Sequence, residues 1–345
     1  MDLLPELIET EEALDEVLTR PQPALVEFVK TIHSPLLLLG AGGKMGPSLA
    51  VLARRAAQQA GCKLEIVAAS RFSEGTIRRW LEDRGIRTVP CDLMDYQSLR
   101  KLPEAENIIY LVGLKFGTTQ NPAVTWAVNT VAPANVSARY PHSRMVVLSS
   151  GSVYPLTPVK NRGAVESEAL TPLGEYANAC VGRERIFEYY SRQNHTPIAL
   201  MRLFYAVELR YGVLVDLALK VYAGEEVDLS MGYLNWIWQG DANDLILRSL
   251  ALARIPPEPW NLTGPQVHSV RELALKFGEL LGKRVQLVGS EAGSALLGSP
   301  ARLCAQLGQP GMPVEVVMRW VAHWISHTGR LLGKPTHFEV RDGRY

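Results

Sequence analysis

Three glycines spaced by three, Gly40-x-x-Gly43-x-x-Gly46, follow the apolar run Leu36-Leu37-Leu38-Leu39 and precede a helix-forming stretch, Ser48 to Ala60. Strand, glycine loop and helix in that order form the context in which backbone cradles a dinucleotide. The first glycine permits the tight turn. The second lets backbone approach a pyrophosphate, and the third lets the helix pack on the strand. The helix N-terminus adds partial positive charge suited to phosphate. Lys44 and Met45 lie inside this loop and are read with Gly40, Gly43 and Gly46 as cofactor-binding.

The second strand bears on which dinucleotide binds. A terminal Asp or Glu there would accept from the ribose hydroxyls of NAD. This strand ends Ala68-Ala69-Ser70-Arg71, with no carboxylate. Ser70 can donate to a 2′-phosphate and Arg71 can pair with it. The expected cofactor is NADP, with NAD the second choice; the plain alternative for Arg71 is a solvated surface arginine.

Other reactive residue types carry weaker patterns. His323 and His327 stand four apart, but Trp320, Val321 and Trp324 around them point to a packed helix, so no metal is expected. Trp236 and Trp238 alternate as on one face of a strand. The four cysteines, Cys62, Cys91, Cys180 and Cys304, are scattered without a CxxC pair, which disfavours a disulfide scaffold.

The elements that would hold these residues alternate. Strands are expected at Leu64–Ala69, Arg87–Pro90, Asn107–Val112, Met145–Leu148 and Pro197–Leu203. Helices are expected at Glu74–Asp83, Ala123–Ala138 and Glu175–Ser191. Alternating strands and helices with continuous apolar strands make an α/β fold, a Rossmann-like doubly wound parallel sheet. Two short helices in residues 1–34 form an N-terminal extension, residues 35–203 the dinucleotide-binding domain, and residues 204–345 a smaller, less regular substrate region with possible return segments to the sheet. Late helices are expected at Ser269–Leu281 and Val314–His327.

The chain has 345 residues, 47% of them hydrophobic, with 36 Lys and Arg against 35 Asp and Glu. A net charge of +1 removes the main argument for nucleic acid or an anionic membrane as partner. No stretch reaches the roughly 18–20 apolar residues of a membrane span, and the Met1–Glu12 segment is acidic, unlike a signal peptide. The expectation is a cytoplasmic protein.

The ordered motifs resemble the extended short-chain dehydrogenase/reductases, the NAD(P)-dependent epimerase/dehydratase group acting mainly on sugars and nucleotide sugars. Besides the glycine loop, Asp92-Leu93 with Asp95 is similar to the family's adenine-contacting motif. Leu111-Val112-Gly113-Leu114-Lys115 resembles the cofactor-lining loop of UDP-galactose 4-epimerases, lysine included. Asn129 matches a helix asparagine, and Ser149-Ser150-Gly151-Ser152-Val153-Tyr154 an active-site serine strand. Asn261-Leu262-Thr263-Gly264 resembles a later segment. The resemblance implies that Val112, Gly113, Lys115 and Asn129 line the cofactor, that Ser150 holds the reacting oxygen, and that Tyr176 is the acid/base. It implies a sugar-like substrate and a homodimer. Ser152, Arg202, Tyr205 and Trp236 are the substrate-side candidates, with Arg210 and Tyr211 behind them; Arg202 is alternatively an internal ion-pair partner.

One departure stands out. The family carries a lysine four residues after the tyrosine, whose charge stabilises a phenolate of reference pKa about 10. Here that position is Cys180, read with Tyr176 and Ser150 as a catalytic candidate and alternatively as a small buried helix residue. Three readings follow: an active enzyme in which Arg183, close to two turns after Tyr176, or Lys115 compensates; one using Glu166 or Glu168 as acid/base; or a dinucleotide-binding sensor or scaffold without catalysis.

Overall fold

The computed structural model describes residues 4–73, 75–115 and 117–344. Its centre is a parallel sheet of seven strands. In chain order these are β1 (Leu36–Leu39), β2 (Ile66–Ser70), β3 (Arg87–Pro90), β4 (Asn107–Tyr110), β5 (Arg144–Ser150), then the Ile198–Leu203 and Glu258–Leu262 strands. Across the sheet, the Glu258–Leu262 strand pairs Ile198–Leu203, which pairs β5, followed by β4, β1, β2 and β3.

Four consecutive leucines make β1 because both faces of this sheet are covered. Leu36 and Leu38 enter one core with Ala68, Ile109 and Met201; Leu37 and Leu39 enter the opposite core with Val67, Ile108 and Leu200. The first face is covered by α2 (Pro23–Val29) and α3 (Gly46–Gln59). On its edge lie α1 (Glu11–Leu18), which Thr10 caps by accepting from the Ala13 N–H, and α4 (Gly75–Glu82). After the short α5 (Tyr96–Leu99), α6 (Pro122–Arg139) and α7 (Gly174–Asn194) pack together on the second face.

A third core lies beyond the sheet. It joins α8 (Val213–Ala223), α10 (Val270–Leu281) and the Val314–Ser326 helix to Leu14, Val17 and Leu18 of α1. Between them, α9 (Gln239–Arg248) packs back on α3. The N-terminal extension therefore serves both the sheet and the C-terminal portion. Trp236 and Trp238 lie in a short buried strand paired with Tyr205–Val207. Helix edges differ from the expected ones by one to three residues where capping, which apolar spacing does not report, decides the end.

The chain reverses direction across the sheet between β1 and its neighbours β2 and β4. The crevice beyond the carboxyl ends of such strands is where α/β sheets bind ligands. Two loops open there, Gly40–Met45 after β1 and Leu111–Lys115 after β4. No helix among the described residues is long and apolar enough to cross a membrane.

Candidate active site

A cleft of about 240 Å³ lies at that crevice. The glycine loop forms one wall and Leu111, Gly113 and Lys115 the next. Ser149, Ser150 and Ser152 line it from the end of β5, Tyr176 and Arg183 from α7, and Tyr205, Tyr211 and Val213 from the C-terminal portion.

The loop is shaped to hold backbone, not side chains. Gly40 has φ +89°, and a Cβ there would stand 2.6 Å from Val112 Cγ2. At Gly46 a Cβ would meet Ala41 Cα and O, each at 2.5 Å. The start of α3 has no capping side-chain hydrogen bond and no acidic residue in its first turn, and Met45 and Gly46 at this end line the cleft. Cradle, close packing and free helix N-terminus together fit a dinucleotide pyrophosphate. Gly46→Ala is expected to cost about 1–3 kcal/mol, because backbone cannot swing aside as a side-chain tip does, and to weaken dinucleotide binding. Urea denaturation and cofactor titration measure the two effects.

Tyr176 is hydrogen-bonded to the side chains of Ser150 and Cys180. Ser150 Oγ also accepts from the Ser152 N–H at 3.1 Å, which fixes the hydroxyl at the strand end. Burial raises the Tyr176 phenol well above its ordinary value; Cys180 pushes the same way, and Arg183 opposes them. Arg183 is almost wholly buried, with Nη1 donating to the Leu148 carbonyl at 2.7 Å and Nη2 to Asn129 Oδ1. A Cβ on Gly113 would touch Arg183 Nη2 at 2.4 Å, so the guanidinium lies directly against the loop after β4. Its two hydrogen-bond acceptors are neutral, Glu184 acts on it as well, and its positive charge bears on the Tyr176 phenol. Asn129 also donates to the carbonyls of Leu114 and Thr125, at 3.2 and 2.8 Å, and so ties α6 to the loop.

Lys115 donates to the Thr336 carbonyl at 3.1 Å. Lys44 reaches the Ala206 carbonyl at 2.7 Å and lies 3.6 Å above the Tyr211 ring. Burial lowers the two ammonium groups to about 8 and about 7 respectively, and the Asp216 carboxylate pulls both back up.

Several expected site residues lie elsewhere. Cys180 is wholly buried beneath Tyr176 and does not line the cleft; burial holds its thiol protonated. Arg202 is 5% exposed and internal: Nη2 pairs Glu184 at 2.7 Å and Nη1 donates to Tyr154 Oη at 2.7 Å. The hydroxyl of Tyr154 donates onward to Asn261 Oδ1 at 2.9 Å, and Asn261 Nδ2 reaches the carbonyls of Ala164 and Ser299. Ser149 Oγ joins this network through Glu184 at 2.6 Å. Trp236 is also internal, stacked on His268 in the third core, because its strand is covered on both sides. Glu166 accepts from the Asn261 N–H, a structural bond.

The adenine-side residues form a separate group. Ser70 ends β2 with its Oγ 2.7 Å from where a Gly42 Cβ would stand, and Arg71 is exposed beside it. Asp92 accepts from the Met94 N–H in the turn after β3, Leu93 is buried below, and Val112 packs on Gly40. Thr336, Leu296 and Phe204 were absent from the sequence reading yet line the cleft. Thr336 arrives on an irregular segment without apolar periodicity, and its side chain and N–H both bond Asp216. His323 and His327 stack at 4.0 Å on a helix, and the described residues contain no group of three or more His, Cys, Asp or Glu able to hold a metal.

Comparison with known proteins agrees with this architecture. No curated protein matches the chain. Among solved structures, a dTDP-glucose 4,6-dehydratase from Streptomyces venezuelae, with NAD bound, superposes with a TM-score of 0.72 at 18% identity, covering 85% of this chain and 97% of that one. A UDP-glucose 4-epimerase from Thermus thermophilus, in complex with NAD, gives 0.66 at 18%, covering 84% and 98%. An epimerase from Methanothermobacter thermautotrophicus gives 0.71 at 16%, covering 89% and 97%. At such identities the likeness shows the fold. Residues 36–230, more than half of the chain, match the model of the NAD dependent epimerase/dehydratase family. The chain is an extended short-chain dehydrogenase/reductase and belongs to that family.

Proposed function

We propose that the protein is an NADP-preferring oxidoreductase or epimerase acting at a carbinol or carbonyl carbon of a sugar or related polyol. The observation that carries this is the Arg183 guanidinium held against the loop after β4, on the same helix as Tyr176 and acting on its phenol. It supplies positive charge in the cleft that Cys180 cannot.

The bound nicotinamide supplies hydride acceptance and donation. The chain's own groups do the rest. Tyr176, protonated in this environment, gives its proton to a carbonyl oxygen in the reducing direction, and in the oxidising direction it would take one from a hydroxyl only as the phenolate, while Ser150 hydrogen-bonds the same oxygen. Arg183 offsets part of the cost of phenolate formation. The glycine loop and the N-terminus of α3 hold the pyrophosphate, and Tyr205, Tyr211 and Ser152 face the substrate.

The test is a panel of sugars and polyols, followed by nicotinamide absorbance and by product configuration. Turnover of one of them supports the reading; binding without any turnover supports the sensor alternative instead. For the cofactor, Arg71→Ala is expected to weaken NADP by about tenfold, the weight of one phosphate contact, and to leave NAD unchanged. Tighter binding of NAD by the wild type would sink that preference. The exposed Val124, Trp126 and Val131 of α6 and Tyr189 of α7 support the expected homodimer, which light scattering checks.

A further inference from the structure

The last stretch of the chain crosses the mouth of the cleft. After the Val314–Ser326 helix the backbone runs on to Arg344 without helix or strand. Arg330 pairs Glu11 of α1 through two bonds, at 2.8 and 2.7 Å, and the Leu332 N–H donates to the Arg210 carbonyl at 3.0 Å. Thr336 then binds Asp216 in the first turn of α8 and enters the cleft lining, where its carbonyl accepts from Lys115. Phe338 is buried in the third core, and Glu339 pairs Lys220 of α8.

From there this strap leaves α8 and reaches the other bank. Arg341 Nη1 donates to the Ser230 and Ser294 carbonyls at 2.9 and 2.8 Å, and Nη2 to Ser294 Oγ at 3.0 Å. Leu296, two residues past Ser294, lines the cleft. Gly343 then lies against the start of α7. It has φ +75°, and a Cβ on it would stand 2.1 Å from the Leu173 carbonyl oxygen; a Cβ on Gly174 would stand 2.2 Å from the Gly343 oxygen. Tyr176 follows Gly174 by two residues. Residues 339–344 therefore bridge α8, whose Val213 lines one side of the cleft, to α7, whose Tyr176 lines the other.

We infer that this strap excludes a nucleotide from the substrate site, so that the reacting sugar or polyol is a free one, without an attached nucleoside diphosphate. This rests on the proposed function and narrows its substrate class. The dinucleotide takes the glycine-loop end of the cleft. Any group attached to the sugar then leaves on the opposite side, between α8 and the start of α7, where the strap lies. The cleft holds about 240 Å³, below the roughly 300–1,000 Å³ of sites for drug-sized ligands, and the nicotinamide end of the dinucleotide shares it. The wall does not give way either. Phe204 lines the cleft with Gly151 and Gly298 packed on its ring, where Cβ atoms would stand 2.5 and 2.3 Å from the nearest ring carbons. A nucleotide sugar therefore binds only when residues 339–344 lift, and the balance of closed and lifted forms sets the penalty.

The experiment is calorimetric titration of the cofactor-loaded protein with UDP-glucose, for the wild type, Arg341→Ala and Gly343→Ala. Arg341→Ala removes the charge-assisted bonds to Ser230 and Ser294. Gly343→Ala pushes the strap off Leu173 through its Cβ and its positive φ, and covers the case in which Arg341→Ala does not fold. Neither residue belongs to the cleft lining or the glycine loop. Each variant should bind UDP-glucose at least about tenfold more tightly than the wild type, the weight of one charge-assisted bond on the closed–lifted balance. Dinucleotide affinity should stay that of the wild type. Binding by the wild type as tight as by the variants overturns the inference, and so does an absence of binding in all three. A gain matched by a change in dinucleotide affinity overturns it too, because it reports a general loosening of the fold. A protein that turns over no sugar yet gains UDP-glucose binding in both variants would refute the proposed function and leave the strap's role standing; turnover of UDP-glucose by the wild type would do the reverse.

Discussion

Tyr176→Phe lowers turnover by about 10²–10⁴-fold, the range for loss of a positioned acid/base group. The substitution removes one oxygen from a half-buried ring, so the fold and cofactor affinity are expected to stay those of the wild type. The size of the effect follows from the surroundings. The phenol is raised by burial and by Cys180, and Arg183 is the cationic side chain that opposes them. On the proposed mechanism, Ser150 alone would then contact the reacting oxygen, without a proton of suitable acidity. Arg183→Met provides the companion measurement. It should displace the alkaline limb of the pH–rate profile upward, because the phenolate loses its counter-charge, and Arg183→Lys should displace it less. A uniform loss of rate at all pH values would assign Arg183 a packing role only.

Glu184→Leu costs about 3–5 kcal/mol in urea denaturation, because it strands a buried charge. Glu184 is 2% exposed and holds Arg202 through two bonds, Nε at 2.9 Å and Nη2 at 2.7 Å, while accepting from Ser149. Removing the carboxylate leaves the guanidinium inside with Tyr154 as its remaining partner. Glu184→Leu combined with Arg202→Met should recover most of the loss, since replacing a whole buried pair by apolar groups is close to neutral. Failure of the double variant to recover would mean that α7 depends on the polar network as well as on charge balance.

The glycine loop, the parallel sheet and the position of Tyr176 were legible because each is set by local order: an apolar strand, a turn that only glycine allows, a helix. The offset of seven from Tyr176 to Arg183 was legible as a shared helix face, and the cleft contains both residues. Arg202 takes the internal ion-pair alternative, and Trp236 is internal, for one reason. A residue at a strand end faces either the crevice or a neighbouring element, and spacing along the strand does not tell which. For Arg202 the deciding partner lies 18 residues away on α7, and for Trp236 it is His268 across the third core. Thr336 was invisible for another reason. It meets Lys115 across a sequence separation of 221, on backbone with no regular pattern.

The Asn261 amide also bears on how the chain finds its register. The Glu258–Leu262 strand arrives late, at the edge of the sheet, and parallel pairing alone would tolerate a slide along Ile198–Leu203. A slide by two residues preserves which side chains face each core but carries the amide about 6–7 Å along the strand. Tyr154 would then lose its acceptor, the Ala164 and Ser299 carbonyls a side-chain donor each, and the Glu166 carboxylate its backbone N–H. Those four broken bonds act as a checksum on the alignment of the last strand: apolar packing accepts several alignments, and the buried polar groups accept one.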